Sequence, residues 1–333
     1  MWQGLGICVL LTGAGFFLAH LPGIDTSGIS PLVFSLMLGL IAGNLPWAAP
    51  IQKIAPGLKF ATRWLLRTGI VIFGLSVTLQ QVFALGYQVV VLDMVVMITV
   101  LLVGYQLGTR WLKLDPETAL LTSAGSAICG AAAILATETT IRAKPAATSM
   151  AVATVVLFGS LAMFVYPLLY SLVGWNQQLY GIFIGATVHE VAQVVAAGDA
   201  IGATALTNAV IVKLVRVMLL IPFLLIVGQW WVKRHAATGD DIAEPCRLTV
   251  PWFAFGFLAM VFFNSWFALP PTLHAAIVLG GQVALTMAMA ALGYETRIEK
   301  LRSLGIRPLI LALVLFVLLV TGGLGLTWLL ISI

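Results

Sequence analysis

The sequence predicts an all-α polytopic membrane protein. Hydrophobic residues fill 61% of its 333 positions and charged ones 9%, too few charges to cover a soluble surface. Apolar runs of membrane-spanning length recur from one end to the other, and a bilayer core demands about 20 apolar residues of a helix. Two of the runs are interrupted by small and polar residues, which adds inverted repeats with broken or re-entrant helices to the expectation. Cys8, Cys129 and Cys246 are odd in number and far apart, so neither a disulfide framework nor a C-x-x-C metal site is available. The net charge of +5 is spread over connections between apolar runs. It reads as a topology signal and not as a nucleic-acid surface.

About eleven segments follow in order. The first, 4–20, reads GLGICVLLTGAGFFLAH and lacks a basic leader and a small-residue cleavage site, so it is expected as a retained helix. Segments two (31–47) and three (66–82) flank a connection bearing Lys53, Lys59, Arg63 and Arg67. Segment four (85–109) contains Asp93 and is followed by Arg110 and Lys113. Segment five (118–137) and segment seven (178–197) are rich in Gly, Ala, Ser and Thr, with segment six (147–172) between them. Segment eight (203–232) carries Asn208, Lys213 and Arg216 within an apolar run and ends at Lys233 and Arg234. Segments nine (250–268), ten (274–292) and eleven (305–331) complete the chain, with Arg297, Lys300, Arg302 and Arg307 between the last two.

The whole forms one membrane domain. Segment ten, ending ALTMAMAALGYET, resembles segment five, ending AAAILATETT. That pairing gives an extra helix at 1–20, a first repeat over 31–172 and a second, inverted one over 178–331. A pairing of segment five with segment seven competes with it.

Basic residues near helix ends mark the cytoplasmic side. With eleven crossings and a cytoplasmic N-terminus, the connections around Lys53, Arg110, Lys233 and Arg297 share that side. The connection carrying Arg142 and Lys144 does not. Re-entrant folding of both segment five and segment seven moves it inside and leaves the rest unchanged. Charge therefore cannot choose between the models, but it singles out these two segments.

An ionisable residue inside a span costs roughly 2.5 kcal/mol or more unless it faces a cavity or a partner. The candidates are Asp93, His189, Glu190, Lys213 and Arg216, with Glu138 at a segment end. The stretch TVHEVAQVVAAG, 187–198, begins like the zinc-protease signature H-E-x-x-H, but Gln193 stands where the second histidine belongs. No metal site and no enzyme are therefore expected. On a continuous helix His189 and Gln193 would share a face flanked by Glu190, with Thr187 at the start of the turn. Lys213 and Arg216 offer either a salt bridge to Glu190 or an anion site. Asp93 reads as a proton carrier, a cation partner or, if the segment starts late, an interfacial group. Trp175, Trp230, Trp231, Trp252 and Trp266 near span ends read as interfacial anchors.

GSAICGAAAILATE, ATVHEVAQVVAAG, the K-x-x-R of segment eight and MAMAALG before a long apolar helix together resemble the bacterial YeiH family of inner-membrane proteins, commonly labelled sulfate exporters. The resemblance covers nearly the whole chain. It implies the fold of the cation:proton antiporter and bile-acid-transporter superfamily, with inverted repeats and crossed, broken helices separating a core from a panel. It carries Ser126, Ala127, Ile128, Cys129, Gly130, His189, Glu190, Gln193 and Gly198 over as motif positions. The paired acidic residues of the antiporter members have no counterpart in a span here, which disfavours Na+/H+ exchange.

The expected function is secondary transport, export of a small oxyanion such as sulfate or sulfite, with proton coupling. Ser126, Ala127, Cys129, Gly130, Thr187, Gln193, Asn208, Lys213 and Arg216 would bind the substrate. His189, Glu190 and Asp93 would titrate or gate. No cofactor is expected. The partners are the anion, the bilayer and, in assembly, a second copy of the chain, but no nucleic acid. An organic-anion transporter, a cation:proton antiporter and a channel-like or structural membrane protein are the alternatives.

Overall fold

A computed structural model describes residues 1–21, 30–45, 51–236, 251–267, 269–296 and 305–331. Cys246, Arg247, Arg297, Lys300 and Arg302 lie outside the described residues. All regular structure among the described residues is helical. The helices are α1 Trp2–Ala19, α2 Pro31–Asn44, α3 Ile51–Phe60, α4 Leu66–Phe73, α5 Leu79–Ala84, α6 Gly86–Gln106, α7 Pro116–Ala127, α8 Ala131–Ile141, α9 Pro145–Val173, α10 Gln177–Thr187, α11 Val191–Asp199, α12 Ala203–Met218, α13 Leu220–Ala236, α14 Trp252–Trp266, α15 Pro271–Glu295 and α16 Ile306–Ile331. Among the described residues, six helical stretches are long and apolar enough to cross a membrane, including 86–111, 145–173 and 203–234. The chain is a polytopic membrane protein.

Most expected segments fall on helices, with one clear correction. Segment three begins earlier than the apolar run, because α3 continues through a π turn at Ala61–Leu65 into α4. Lys53, Lys59 and Arg63 therefore stand on a helix and not in a loop. Charge masks the helix from a hydropathy reading, although the long side chains can extend toward the membrane surface.

Segments five and seven are both broken, and both turn back. Segment five becomes α7 and α8 around Ile128–Gly130, and segment seven becomes α10 and α11 around Val188–Glu190. Laid end to end, the 12 and 11 residues of α7 and α8 would span about 35 Å. Instead Glu117 Oε2, in the first turn of α7, accepts the backbone N–H of Lys144, just beyond α8, at 2.8 Å. The second hairpin closes likewise, with Gln177 Nε2 at the start of α10 donating to the Ile201 carbonyl, past α11, at 3.4 Å. The limbs of 9 to 12 residues, about 14 to 18 Å long, bring the tips close to the middle of a bilayer core about 30 Å thick.

The 29-residue α9 separates the hairpins, and its length of about 43 Å carries the chain across the membrane. The hairpins thus enter from opposite faces. Each is followed by a helix running parallel to its first limb. A Cβ on Gly125 of α7 would meet Val155 of α9, and Cβ atoms on Gly181 and Gly185 of α10 would meet Ala205 and Ala209 of α12. Small residues let these backbones touch, the usual basis of helix association in lipid. Both readings of the small-residue pattern hold: glycines pack the limbs, and the polar residues gather at the tips.

With the two hairpins re-entrant, the ends carrying Lys53, Lys59 and Arg63, Arg110 and Lys113, Arg142 and Lys144, and Lys233 and Arg234 all face the same side. Segment ten, as α15, is a continuous helix, so the broken element that matches segment five is segment seven.

The helices form two bundles. In one, α2 packs closely on α15, with α1, α3, α4 and α14 around them. A Cβ on Gly39 or Gly43 would strike the backbone of Ala290 or Tyr294. In the other, both hairpins pack among α6, α9, α12 and α16. Trp231 is 3% exposed and packs inside this second bundle with Leu121 and Ile134, so it is a core residue and not the interfacial anchor expected.

Candidate functional site

Each hairpin has a helix C-terminus and a helix N-terminus at its tip, deep in the protein. A helix that stops there leaves its last carbonyls unpaired and a partial negative charge. Lys213 and Arg216 answer both hairpins at once. Lys213 Nζ donates to the carbonyls of Ile128 at 2.7 Å and Val188 at 2.6 Å. Arg216 Nε donates to Ala127 O at 2.6 Å and Nη2 to Ser126 O at 3.2 Å, while Nη1 donates to Ala186 O. Three residues apart on α12, the two cations lie on one face and clamp the two tips together. Both are fully buried. The sequence offered them as an anion site or as salt-bridge partners of Glu190; the structure engages them with backbone carbonyls.

The opposite ends of the break are answered by a carboxylate. Glu190 Oε1 accepts the N–H of Ala131, the first residue of α8, at 3.1 Å. The same side chain caps α11, and Gln193 Oε1 returns the favour by accepting the Glu190 N–H at 3.0 Å. Glu190 thus joins the N-termini of two half-helices, where negative charge is stabilised. The close approach needs a glycine at 130, where φ is +71° and a Cβ would collide with the Glu190 side chain. His189 and Glu190 sit in the break and not on a helix, which begins only at Val191. The expected shared helical face of His189 and Gln193 is replaced by a capping box.

Several polar atoms in this second bundle are buried without a hydrogen-bond partner: Ser126 Oγ, His189 Nδ1, Gln193 Nε2 and both oxygens of Asp93. Gln193 packs against Gly159 of α9, and the His189 ring stacks 6.4 Å from that of Phe316 on α16. Asp93, on α6, is fully buried and interacts electrostatically with Arg216 and Lys213. Two acidic and two basic side chains therefore gather around the tips. Cys129 is buried in the first tip.

Two expected residues stand apart. Thr187 Oγ1 accepts the hydroxyl of Tyr166 at 2.9 Å and donates back to Phe183 O, which ties the last turn of α10 to α9. Asn208 donates to Gln178 O at 3.2 Å, near the outer end of the second hairpin and away from the tips. The sequence reading passes over Tyr166, whose place in a buried hydrogen-bond chain with Tyr180 has no local signature, and over Asp199, which closes α11.

Over residues 3–312 the chain matches the family described as Conserved hypothetical protein 698. It is 45% identical over 326 residues to a UPF0324 membrane protein of Bordetella pertussis, covering 97% of this chain and 93% of that one. It is 40% identical over 328 residues to the UPF0324 inner membrane protein YeiH of Salmonella typhi, with coverage of 97% and 93%. A UPF0324 membrane protein of Pseudomonas putida is 44% identical over 328 residues, with coverage of 98% and 92%. No solved structure matches.

Proposed function

The chain belongs to the family described as Conserved hypothetical protein 698, the UPF0324 membrane proteins, and from that premise we propose that it is a secondary transporter of a small inorganic oxyanion, sulfate or sulfite, in the bacterial inner membrane. The observation that carries this reading is the meeting of two half-helix N-termini on one accepting carboxylate, that of Glu190. A place that holds a carboxylate by backbone N–H groups suits a sulfur oxyanion equally well. Around it, His189 Nδ1, Gln193 Nε2 and Ser126 Oγ are unpartnered and are groups able to donate to anion oxygens.

The proposed roles follow from position. Lys213 and Arg216 hold the tips and supply positive charge behind them. Glu190 yields its place to the substrate when protonated, and His189 beside it adds a second titrating group. The two bundles move relative to each other, in an elevator-like or rocking step, so that the tips face alternate sides. On this reading the shared face of the basic connections is the cytoplasmic one, as the positive-inside rule favours, and the N-terminus lies on the same side.

A second reading, cation:proton antiport, is favoured by one observation, the unpartnered Asp93 carboxylate. Flux into liposomes containing the purified protein separates the two. Saturable, counterflow-competent movement of sulfite or sulfate is expected, with organic anions and alkali cations as the competing substrates. Loss of the charge-assisted bond in Glu190→Gln, worth about 1.5–3 kcal/mol, lowers flux by about tenfold or more. Unchanged flux in both Glu190→Gln and His189→Ala would remove the pair from the mechanism.

A further inference from the structure

Between the two bundles, on the face opposite the basic connections, lies a cavity of about 180 Å³. Leu32 of α2, Phe73 and Ser76 at the end of α4, Gln282 of α15, and Val195 and Asp199 of the second hairpin help to line it. Among the described residues that line it, none is Lys, Arg or His. The Asp199 carboxylate accepts a hydrogen bond from the Ser30 side chain, while its Oδ2 is buried with no hydrogen-bond partner.

An ionised carboxylate walled mainly by apolar side chains is costly without a compensating charge, and the protein supplies none from the lining. An anion would meet repulsion here. A hard cation would find the carboxylate, the Ser76 hydroxyl and the Gln282 side-chain carbonyl, all oxygen donors of the kind such ions prefer. The cavity has room for several water molecules beside an ion, so the ion would retain part of its hydration shell.

We propose that this cavity is a binding site for a small monovalent cation of the sodium class, anchored by Asp199 with Ser76 and Gln282. The site is separate from the hairpin tips and goes beyond the anion reading. Its occupation would neutralise the one charge in the cavity between the two bundles.

Equilibrium binding of radiolabelled sodium to the purified full chain, in detergent and sodium-free choline buffer, tests the proposal without any transport step. Saturable binding is expected, displaced by unlabelled sodium but not by choline. Asp199→Asn should weaken it by at least about tenfold, or 1.4 kcal/mol, and Ser76→Ala and Gln282→Leu by several-fold. Glu190→Gln should leave it unchanged. Absence of saturable binding to the wild type, equal displacement by choline, or unweakened binding in Asp199→Asn would overturn it. Should Asp199→Asn fail to fold, full binding in both Ser76→Ala and Gln282→Leu would do the same.

Discussion

Arg216 donates to three backbone carbonyls from two different hairpins, a spread that the planar guanidinium, with donors on three nitrogens, spans more readily than the point-like ammonium of lysine. Its replacement by Met leaves those carbonyls buried and unpaired, at about 1–3 kcal/mol each. Arg216→Met should therefore lower the melting temperature of the detergent-solubilised protein sharply, with Arg216→Lys intermediate. Equal melting of all three would refute the clamp. At Gly130 the constraint is conformational and steric together. Gly130→Ala must hold a left-handed φ at a cost of about 1–3 kcal/mol and push Glu190 off Ala131. Reduced flux with retained membrane expression is the expected result, and full flux would show that the Glu190 contact is dispensable. Asp93, by contrast, makes no hydrogen bond and meets Arg216 and Lys213 only through their electrostatic field, so Asp93→Asn should lower the melting temperature less than Arg216→Met does.

At the scale of elements, what was legible in the sequence was position more than shape. Breaks in segments five and seven announce themselves through small residues and misplaced polar groups, and Pro116 and Pro145 at the first positions of α7 and α9 mark helix starts. The turning back does not announce itself, because a hairpin and a kinked span have the same composition. It is decided by contacts between Glu117 and Lys144 and between Gln177 and Ile201, residues 27 and 24 positions apart and unremarkable in the sequence. The candidate site was legible in its residues and not in its wiring. His189, Glu190, Gln193, Lys213 and Arg216 stand out as polar groups at membrane depth, but carbonyls do not appear in a residue list. The principal partners of both cations were therefore invisible to side-chain reasoning. Segment ten shares small residues with segment five but forms a continuous helix, where Gly293 packs on α2 and Gly281 on α4.

Over the whole molecule, the two hairpins and the helix after each make a pair of similar units entering from opposite sides. We read these, and not the offset of five segments, as the inverted elements of the fold. Two re-entrant hairpins explain the topology signal that a chain of simple crossings left inconsistent, since Arg142 and Lys144 then join the other basic ends. The candidate site follows from the same geometry, because hairpins entering from opposite faces bring their tips together, where Lys213 and Arg216 hold them. Sided labelling tests this most directly. In a background with Cys8, Cys129 and Cys246 replaced by Ala, single cysteines at Pro116→Cys and Ala146→Cys flank the first hairpin, and Gln178→Cys and Ala203→Cys flank the second. With a membrane-impermeant maleimide on oriented vesicles, the first pair should label from the same side as Arg234→Cys and the second pair from the other side only. Labelling of Pro116→Cys and Ala146→Cys from opposite sides would contradict the re-entrant hairpin and the tip-to-tip site built on it.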